Sequence, residues 1–448
     1  MFDSQFDSAE VKELLSQPRL IERMLRFEAA LADAEGELGL IPLGAAHSIG
    51  AVCRDPKLPH AIDLSAARQA GNPAIPFVKQ LTEQVRAVDA TAAAWVHFGA
   101  TSQDVIDTVT MLVLRDVLGL VRRDLDHLRT RLAVLAKAYA HSPMPARTLL
   151  QQATATTFGF KVATWLGGLD RISRRLRAVA KEDLTLQLGG PVGTLSVAIG
   201  EDAQRLVAAV ATRLGLAPPE ICWHTSRERI ANCGAALAML TGQLGKIARD
   251  VVLAMQTEVG ELSEASAPGK GGSSAMPHKH NPVDSLPAIA AANIAPQLAA
   301  GLLAAMVQEH ERAAGAWHAE WSVLPRLCNV SHHALQSVLQ LMNGLQVHTG
   351  RMQENLSSTE GLIFAAPLSN ALAPELGRDR AHAVAESLCH TAKQERRPLR
   401  EVVERDLAQL GGSLSAGQIE AIFSSNREVA AAAAGARYYL ERRGSTGE

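Results

Sequence analysis

Apolar residues recur every three to four positions through most of the chain, which is the pattern of amphipathic helices. Two segments at 20–39 and 77–96 show it first, and five longer ones follow at 108–140, 153–184, 227–262, 287–308 and 324–357. Strand-like alternation does not persist in the long segments, and only the glycine-rich stretch 184–197 is compatible with a loop or a short ribbon. The pattern predicts an all-α protein with a long central helical bundle.

Proline and glycine divide this helical pattern into three predicted domains. We expect an N-terminal helical domain over 1–107 and a central bundle of long helices over 108–350. A small C-terminal helical domain over 351–448 follows, where the periodic segments shorten. The central domain contains a polar, glycine-rich segment at 263–282, which we call the signature loop.

Residues 286–308 carry no charged side chain, and the stretch is long enough to span a bilayer. It contains two prolines, Asn293 and Gln297, and much of the remainder is alanine. We therefore predict a helix that is apolar all round and buried in the centre of a bundle. The wide apolar faces of the long helices also lead to the hypothesis that subunits associate through them.

Charge and cysteine content narrow the class of protein. The 448 residues carry 44 basic and 46 acidic side chains, so the net charge of −2 does not favour a nucleic-acid partner. The five cysteines form no CxxC pair, and an odd number does not complete a disulfide framework. The first ten residues lack the pattern of a signal peptide. We expect a cytoplasmic protein that binds neither nucleic acid nor membrane.

The most distinctive chemistry lies in the signature loop, at GKGGSSAMPHKHNP (269–282). Glycines allow this segment to move, while serine, lysine and asparagine side chains offer hydroxyl and cationic donors. Such a loop suits an anionic substrate whose proton is handled under a closing lid. A phosphate-binding P-loop is excluded because its spacing is absent.

The segment GSSAMPHKHNP (272–282) resembles the signature loop of the fumarase/aspartase superfamily, which includes argininosuccinate lyase, adenylosuccinate lyase and the bacterial 3-carboxymuconate cycloisomerases. Two further blocks, HFGATSQDVIDT (97–108) and ARTLLQQAT (146–154), resemble its substrate-binding blocks. Four other segments resemble the cycloisomerase branch most closely: QEHERAAGAWHAEW (308–321), GNPAIPFVKQLT (71–82), WHTSRERI (223–230) and GRDRAH (377–382). The resemblance therefore covers about residues 70–382 in order, and it implies the three-domain fold of that superfamily.

The resemblance implies chemistry without a cofactor. Lyases of the superfamily remove a proton next to a carboxylate and pass through an aci-carboxylate. Cycloisomerases add a substrate carboxylate to a conjugated double bond and close a lactone ring, as in the conversion of 3-carboxy-cis,cis-muconate to 4-carboxymuconolactone during protocatechuate breakdown. The protein must then stabilise charge that develops in the transition state and deliver one proton.

By the same resemblance, Ser273 is the candidate proton donor. Lys279 and Asn281 match the residues that bind the carboxylate and stabilise the aci-form, and His310 is a further catalytic candidate. The substrate-binding candidates are Thr101, Ser102, Leu149, Gln151, Ser274, Met276, Arg312 and His318.

The two histidines among these candidates have an alternative interpretation. On a continuous helix, positions 310, 314, 317 and 321 would share one face, with His318 at its edge. Packed or surface histidines are an equally good interpretation of both. No metal is predicted, because HExxH is absent and the pair His278 and His280 lacks a third ligand nearby.

Two departures from the superfamily pattern bear on the reaction. Leu149 stands where the lyases have a histidine and the cycloisomerases a tryptophan, and Leu286 stands where many members have a glutamate. The acid–base couple of the lyases is therefore missing, which favours a cycloisomerase whose substrate supplies its own nucleophile. The smaller Leu149 also leads to the hypothesis of a roomier pocket that accepts 3-sulfomuconate.

Two other functions stay open on the sequence. One is a lyase of the adenylosuccinate lyase type that eliminates nitrogen, and the other is a helical scaffold that binds a partner without catalysis. The resemblance also implies a homotetramer whose active sites each combine residues of three subunits, with a small tricarboxylate or sulfonated dicarboxylate as the substrate.

Overall fold

A computed structural model describes residues 6–54, 62–272 and 275–445, and 69% of it is helical, so the predicted all-α class is confirmed. The helices are α1 (Ala9–Leu14), α2 (Gln17–Glu37), α3 (Leu43–Arg54), α4 (Leu64–Ala70), α5 (Ala74–Val88), α6 (Ser102–Ala138), α7 (Phe158–Glu182), α8 (Glu201–Leu214), α9 (Glu228–Ala254), α10 (Leu286–Ala304), α11 (Ala316–Gly344), α12 (Thr349–Ser357), α13 (Ala365–Leu376), α14 (Arg378–Glu395), α15 (Leu399–Asp406), α16 (Ala416–Ile422) and α17 (Asn426–Ser445). Short 3₁₀ helices lie at Ala92–Trp95, Leu362–Phe364 and Leu407–Leu410.

Two small antiparallel hairpins accompany the helices. Strands β1 (Pro143–Thr148) and β2 (Gln151–Thr157) pair through a two-residue turn, and β3 (Leu262–Ser263) pairs with β4 (Gln346–Val347). The first hairpin corrects the helix predicted over 153–184, which begins only at Phe158. Three threonines of β2 explain the difference, because β-branched residues favour a strand once a partner strand is available.

Two other predicted helices have different bounds. The helix expected over 227–262 ends at Ala254, and the residues that follow lead into β3. The segment 324–357 is interrupted between α11 and α12 by β4. The stretch 184–197 is not a β-ribbon: its first half is buried, with an isolated bridge between Thr185 and Ala217.

The chain divides into two compact units. The first comprises Met1–Leu125, Arg171–Gly245 and Pro287–Ser337, and the second comprises Asp126–Asp170, Lys246–Leu286 and Val338–Glu448. Within the second unit, apolar side chains of α13, α14 and α15 form a cluster that includes Leu368, Leu388, Leu399 and Val402. The three-domain division with boundaries at 107 and 350 stays a prediction.

Helix α10 is the one helix among the described residues that is long and apolar enough to cross a membrane, by length and composition alone. Only one stripe of it is buried within the single chain, at Ala288, Ala291, Ala295, Ala299 and Leu302. Its end residues Leu286 and Leu303 are about half exposed. The single chain therefore leaves part of this helix exposed, and its burial in the centre of a bundle stays a prediction.

Candidate functional site

Three of the predicted substrate-binding residues meet in the first unit. Arg312 donates one hydrogen bond to Thr101 Oγ1 at 2.7 Å and another to Ser102 Oγ at 3.3 Å. Arg312 has no carboxylate partner among the described residues, so its positive charge is available to a ligand. We call Thr101, Ser102 and Arg312 the Arg312 cluster; its guanidinium and two hydroxyls suit a carboxylate group.

Asp104 holds one side of this cluster in place. Its carboxylate accepts hydrogen bonds from the backbone amide of Thr101 at 3.0 Å and from the amides of residues 189–190 at 3.0 and 2.9 Å. It also pairs with His224 Nε2 at 2.7 Å. Burial opposes a charged His224, but the hydrogen bond that it donates to the Asp104 carboxylate, together with the neighbouring Cys222, outweighs burial and raises the pKa of His224 to about 9. The imidazolium therefore balances the buried Asp104 charge at neutral pH.

A second buried ionic group holds the other side. The Arg227 guanidinium binds both oxygens of Asp107, at 2.7 and 3.0 Å, and both oxygens of Glu320, at 2.9 and 2.6 Å. Trp317 Nε1 donates to Asp107 at 2.9 Å, and the Arg312 guanidinium carbon lies 5.9 Å from the centre of a Trp317 ring. The Arg312 cluster thus rests on an almost inaccessible framework in which every charged group is paired.

The structure does not place the two candidate histidines on a shared helical face. Helix α11 begins at Ala316, so His310 precedes it, in a left-handed conformation with φ of 48°. The His310 carbonyl accepts a hydrogen bond from Thr225 Oγ1 at 3.0 Å. His318 lies 3.2 Å from the carbonyl of Gly71 and packs its ring against Trp321 at 4.5 Å.

The signature loop belongs to the second unit, and its two catalytic-region serines, Ser273 and Ser274, lie outside the described residues. The residues around them form a closed neck: the Asn281 amide donates to the Gly271 carbonyl at 2.7 Å, and Gly272 bridges to His280. Gly271 has φ of 68°, and a Cβ there would lie 2.7 Å from the Asn281 carbonyl oxygen. Only glycine fits this close approach of the two backbone segments.

An ion pair between Lys270 and Asp284, at 2.5 Å, lies at the base of that neck. Gln340 donates to the other Asp284 oxygen at 3.1 Å. Glu264 accepts from the Asp284 amide at 2.8 Å and from the Ser285 amide and hydroxyl at 3.0 and 2.7 Å, so it caps the chain just before α10.

The predicted loop residues that the structure describes are exposed to different degrees. Lys279 and Met276 are exposed, and a turn joins them through the Lys279 amide and the Met276 carbonyl at 3.0 Å. Asn281 is half-buried, and its side-chain amide donates to the Gly272 carbonyl at 3.4 Å. The Lys279 ammonium makes no hydrogen bond or ion pair with the described part of the chain, so it is free for an anionic ligand.

The two remaining candidates, Leu149 and Gln151, lie at the tip of the β1–β2 hairpin. Leu149 and Leu150 form its turn with φ of 49° and 66°, values that leucine rarely adopts, and they are 96% and 74% exposed. Gln151 follows as the exposed first residue of β2. Just below the tip, Arg147 binds both oxygens of the fully buried Glu261, at 2.9 and 2.6 Å. A strained, exposed tip that is anchored by a buried ion pair is typical of a functional segment.

The comparisons with known proteins identify the family of the chain. A family described as lyase matches residues 5–292. The chain belongs to this lyase family. A 3-carboxy-cis,cis-muconate cycloisomerase of Pseudomonas aeruginosa is 46% identical over 94% of this chain and 91% of the relative. The crystal structure of the 3-carboxy-cis,cis-muconate lactonizing enzyme from Pseudomonas putida superposes with a TM-score of 0.91, at 40% identity over the whole of both chains. A nitrosuccinate lyase of Streptomyces davaonensis is 40% identical over 94% of this chain and 90% of the relative.

The predicted membership of the superfamily is confirmed, and this lyase-family chain is an enzyme. The roles of the individual site residues stay predictions. Sequence reasoning missed the buried framework of Asp104, Asp107, Arg227 and Glu320. One signal in the sequence could have indicated it: Asp104 and Asp107 lie among apolar residues of a helical segment. Acids at such positions become buried, and buried acids require cationic or hydrogen-bonding partners.

Proposed function

We propose that this lyase-family enzyme is a cycloisomerase that closes 3-carboxy-cis,cis-muconate to 4-carboxymuconolactone in the breakdown of aromatic acids, without a cofactor. The observation that carries the proposal is the Arg312 cluster, which offers one unpaired cation and two hydroxyls on a rigid base. Four relatives at 40–46% identity are named 3-carboxy-cis,cis-muconate cycloisomerase and support the same reaction.

The substrate carries its own nucleophile. One carboxylate oxygen adds to the conjugated double bond and forms the C–O bond of the lactone. The displaced electron pair moves onto an acceptor carboxylate as the aci-form, and a proton is then added to the neighbouring carbon. This sequence needs no side-chain base, in agreement with Leu149 and Leu286 at the positions of the histidine and glutamate of the lyases.

We assign the tasks as follows. Arg312, Thr101 and Ser102 hold a carboxylate that stays ionised throughout the reaction. Lys279 and Asn281 of the signature loop bind the acceptor carboxylate and stabilise its aci-form, and Ser273 delivers the proton. Direct binding of the substrate by guanidinium and hydroxyl donors orients it before ring closure.

The working form is proposed to be a soluble, cytoplasmic homotetramer with active sites shared between subunits. Two exposed apolar features support association of the chain: the hairpin tip at Leu149 and Leu150, and the faces of α10 that the single chain leaves uncovered. Exposed apolar surfaces of this kind favour protein–protein contact.

The test mixes purified protein with 3-carboxy-cis,cis-muconate, without added metal or cofactor, and follows the loss of diene absorbance and the formation of lactone. Rapid conversion is expected. A folded oligomer that leaves the diene intact would overturn the proposal. The same preparation is then tried with 3-sulfomuconate, and with adenylosuccinate and nitrosuccinate as substrates of nitrogen-eliminating lyases.

A second candidate substrate is 3-sulfomuconate, which the small side chain at position 149 favours. Leu149→Trp restores the bulk that cycloisomerases have at this position, so kcat/KM for the sulfonate should fall relative to that for the carboxylate. Leu150→Trp adds the same bulk at the neighbouring turn residue and serves as the control. An unchanged ratio in Leu149→Trp rules out a role for this position in admitting the sulfonate.

A further inference from the structure

A basic pocket lies between α6 and α7 in the first unit and shares no lining residue with the Arg312 cluster. Its volume is about 420 Å³. Four buried leucines line it, and Arg115, Arg122, Arg177 and Lys181 contribute its charged side chains. No acidic side chain is among the described residues that line the pocket. Arg122, Arg177 and Lys181 are exposed, so the pocket has an apolar base with a cationic rim, which suits an organic anion.

The positive charge in this pocket is largely unpaired. Within the described ranges, neither Arg122 nor Lys181 makes a hydrogen bond or an ion pair. Arg177 donates to the Ser173 hydroxyl at 3.2 Å, and only Arg115 contacts a carboxylate, that of Asp116. The whole chain has a net charge of −2, so this concentration of cations is a local feature rather than a consequence of a basic protein.

The spacing of the cations sets the size of a matching ligand. Arg115 and Arg122 are seven residues apart on α6, which places them about 10 Å apart along the helix axis. Arg177 and Lys181 are one turn apart on α7, about 6 Å along the axis. Both distances suit a small molecule with two or more anionic groups, each held by a different pair of side chains.

Gly119 supplies a second observation. It lies inside the 37-residue helix α6 and lines the pocket. A Cβ at this position would meet no described atom within 4 Å, so packing does not require a glycine. Glycine inside a helix costs about 1 kcal/mol relative to alanine. What glycine does provide is open space above the leucines, between the cations of the two helices.

We propose that this pocket binds a small polyanion that carries at least two carboxylate or phosphate groups. Arginine forks and the lysine ammonium bind the anionic groups, and the leucines contact the carbon skeleton or bridging atoms between them. The proposal goes beyond the cycloisomerase reaction and does not depend on it.

The experiment measures binding of citrate and of inorganic pyrophosphate to the full chain by isothermal titration calorimetry at low salt. The double variant R122Q/K181Q removes the two cations without an intrachain partner, so the fold should be unaffected. Gly119→Leu fills the pocket and keeps all four charges. We expect saturable binding in the unmodified protein and at least a tenfold weaker affinity in both variants.

The control is R86Q/K137Q, which removes one exposed arginine and one exposed lysine outside the pocket. Its affinities should stay within twofold of those of the unmodified protein. Loss of affinity for both probes in the pocket variants supports a general polyanion site. Loss for only one probe assigns the site to phosphate or to carboxylate. Absence of saturable binding, unchanged affinities in the pocket variants, or an equal loss in the control would overturn the proposal.

Discussion

The Arg312 cluster and the signature loop both offer cationic and hydroxyl or amide donors to an anionic substrate, but they are built in different ways. The Arg312 cluster lies on buried ion pairs in which Arg227 and His224 are 1% and 3% exposed. The signature loop has an exposed Lys279, and its described residues are held near the two ends of the loop by Glu264, by the Lys270–Asp284 ion pair and by backbone contacts. The first region is fixed by buried ion pairs before the substrate arrives, whereas residues 275–280 of the second are exposed.

This difference suggests a division of work. A preorganised site binds charge without a cost of rearrangement, so it suits the groups of the substrate that stay ionised throughout. A loop with few packing contacts can close over the substrate and then deliver a proton away from water. Substitutions in the first region should therefore act mainly on binding, and substitutions in the second mainly on turnover.

The largest effect is expected for Ser273→Ala. If Ser273 delivers the proton, kcat should fall about 1,000-fold, within the range found for general acid–base groups. KM and the melting temperature should stay near those of the unmodified enzyme. Steady-state kinetics measure kcat and KM, thermal denaturation measures the melting temperature, and Ser387→Ala, at an exposed serine of α14, is the control. A kcat within tenfold of the unmodified enzyme would mean that another group is the proton donor.

Arg312→Gln should come next, with kcat/KM lowered about 100-fold because the substrate loses a charge-assisted pair. The loss should lie mostly in KM, since the cluster is rigid in the free enzyme. Arg312→Lys keeps the positive charge but not the two-pronged guanidinium, so it should recover part of the lost kcat/KM. Arg86→Gln controls for the loss of one exposed arginine. If kcat falls instead while KM is unchanged, the proposed division between the two regions is wrong.

The buried ion pair of Asp104 and His224, next to the Arg312 cluster, should contribute to the free energy of unfolding. The pKa of His224 is raised to about 9 in the fold, above its ordinary value of 6.5. Its contribution to stability is therefore fully present below about pH 6.5 and is lost as the pH rises through about 9. His224→Gln should lower the free energy of unfolding by about 3 kcal/mol at pH 6.

Urea denaturation at pH 6 and pH 10 tests this prediction, and the charge-dependent part of the difference should vanish at pH 10. His382→Gln, an exposed histidine of α14, is the control and should show no such pH dependence. A His224→Gln difference that is the same at both pH values would show that the imidazolium charge does not stabilise the fold.

The smallest effect is expected for Lys270→Met, which removes the ion pair at the loop neck and keeps the aliphatic stem. The neck should open more often, so kcat should fall about tenfold while KM changes less, as expected for a residue that positions a mobile segment. Hydrogen exchange at the Asn281 amide should accelerate. Lys137→Met, on an exposed face of α6, should change neither quantity, and unaltered exchange in Lys270→Met would show that the ion pair does not hold the neck.

Several features of the protein could be predicted from local sequence. Helical periodicity identified the long helices, because an amphipathic pattern of this length has few other structures that bury it. The periodicity failed at residues 153–157 and 346–347, which form short strands. Whether such a segment forms a strand depends on a partner strand that local periodicity does not reveal. The periodicity also did not locate the start of α11: the predicted segment begins at residue 324, whereas the helix begins at Ala316. His310 precedes this helix.

The sequence by itself determined the helical class, the superfamily and a set of candidate residues, because these follow from periodicity and from local motifs. Only the tertiary structure decided which candidates meet and what supports them. Arg312 contacts Thr101 and Ser102 across some 210 residues of chain, and Arg227 joins two acids that lie 120 and 93 residues away. Such contacts depend on how helices pack, and burial then makes each unpaired charge so costly that the whole ionic framework must form together.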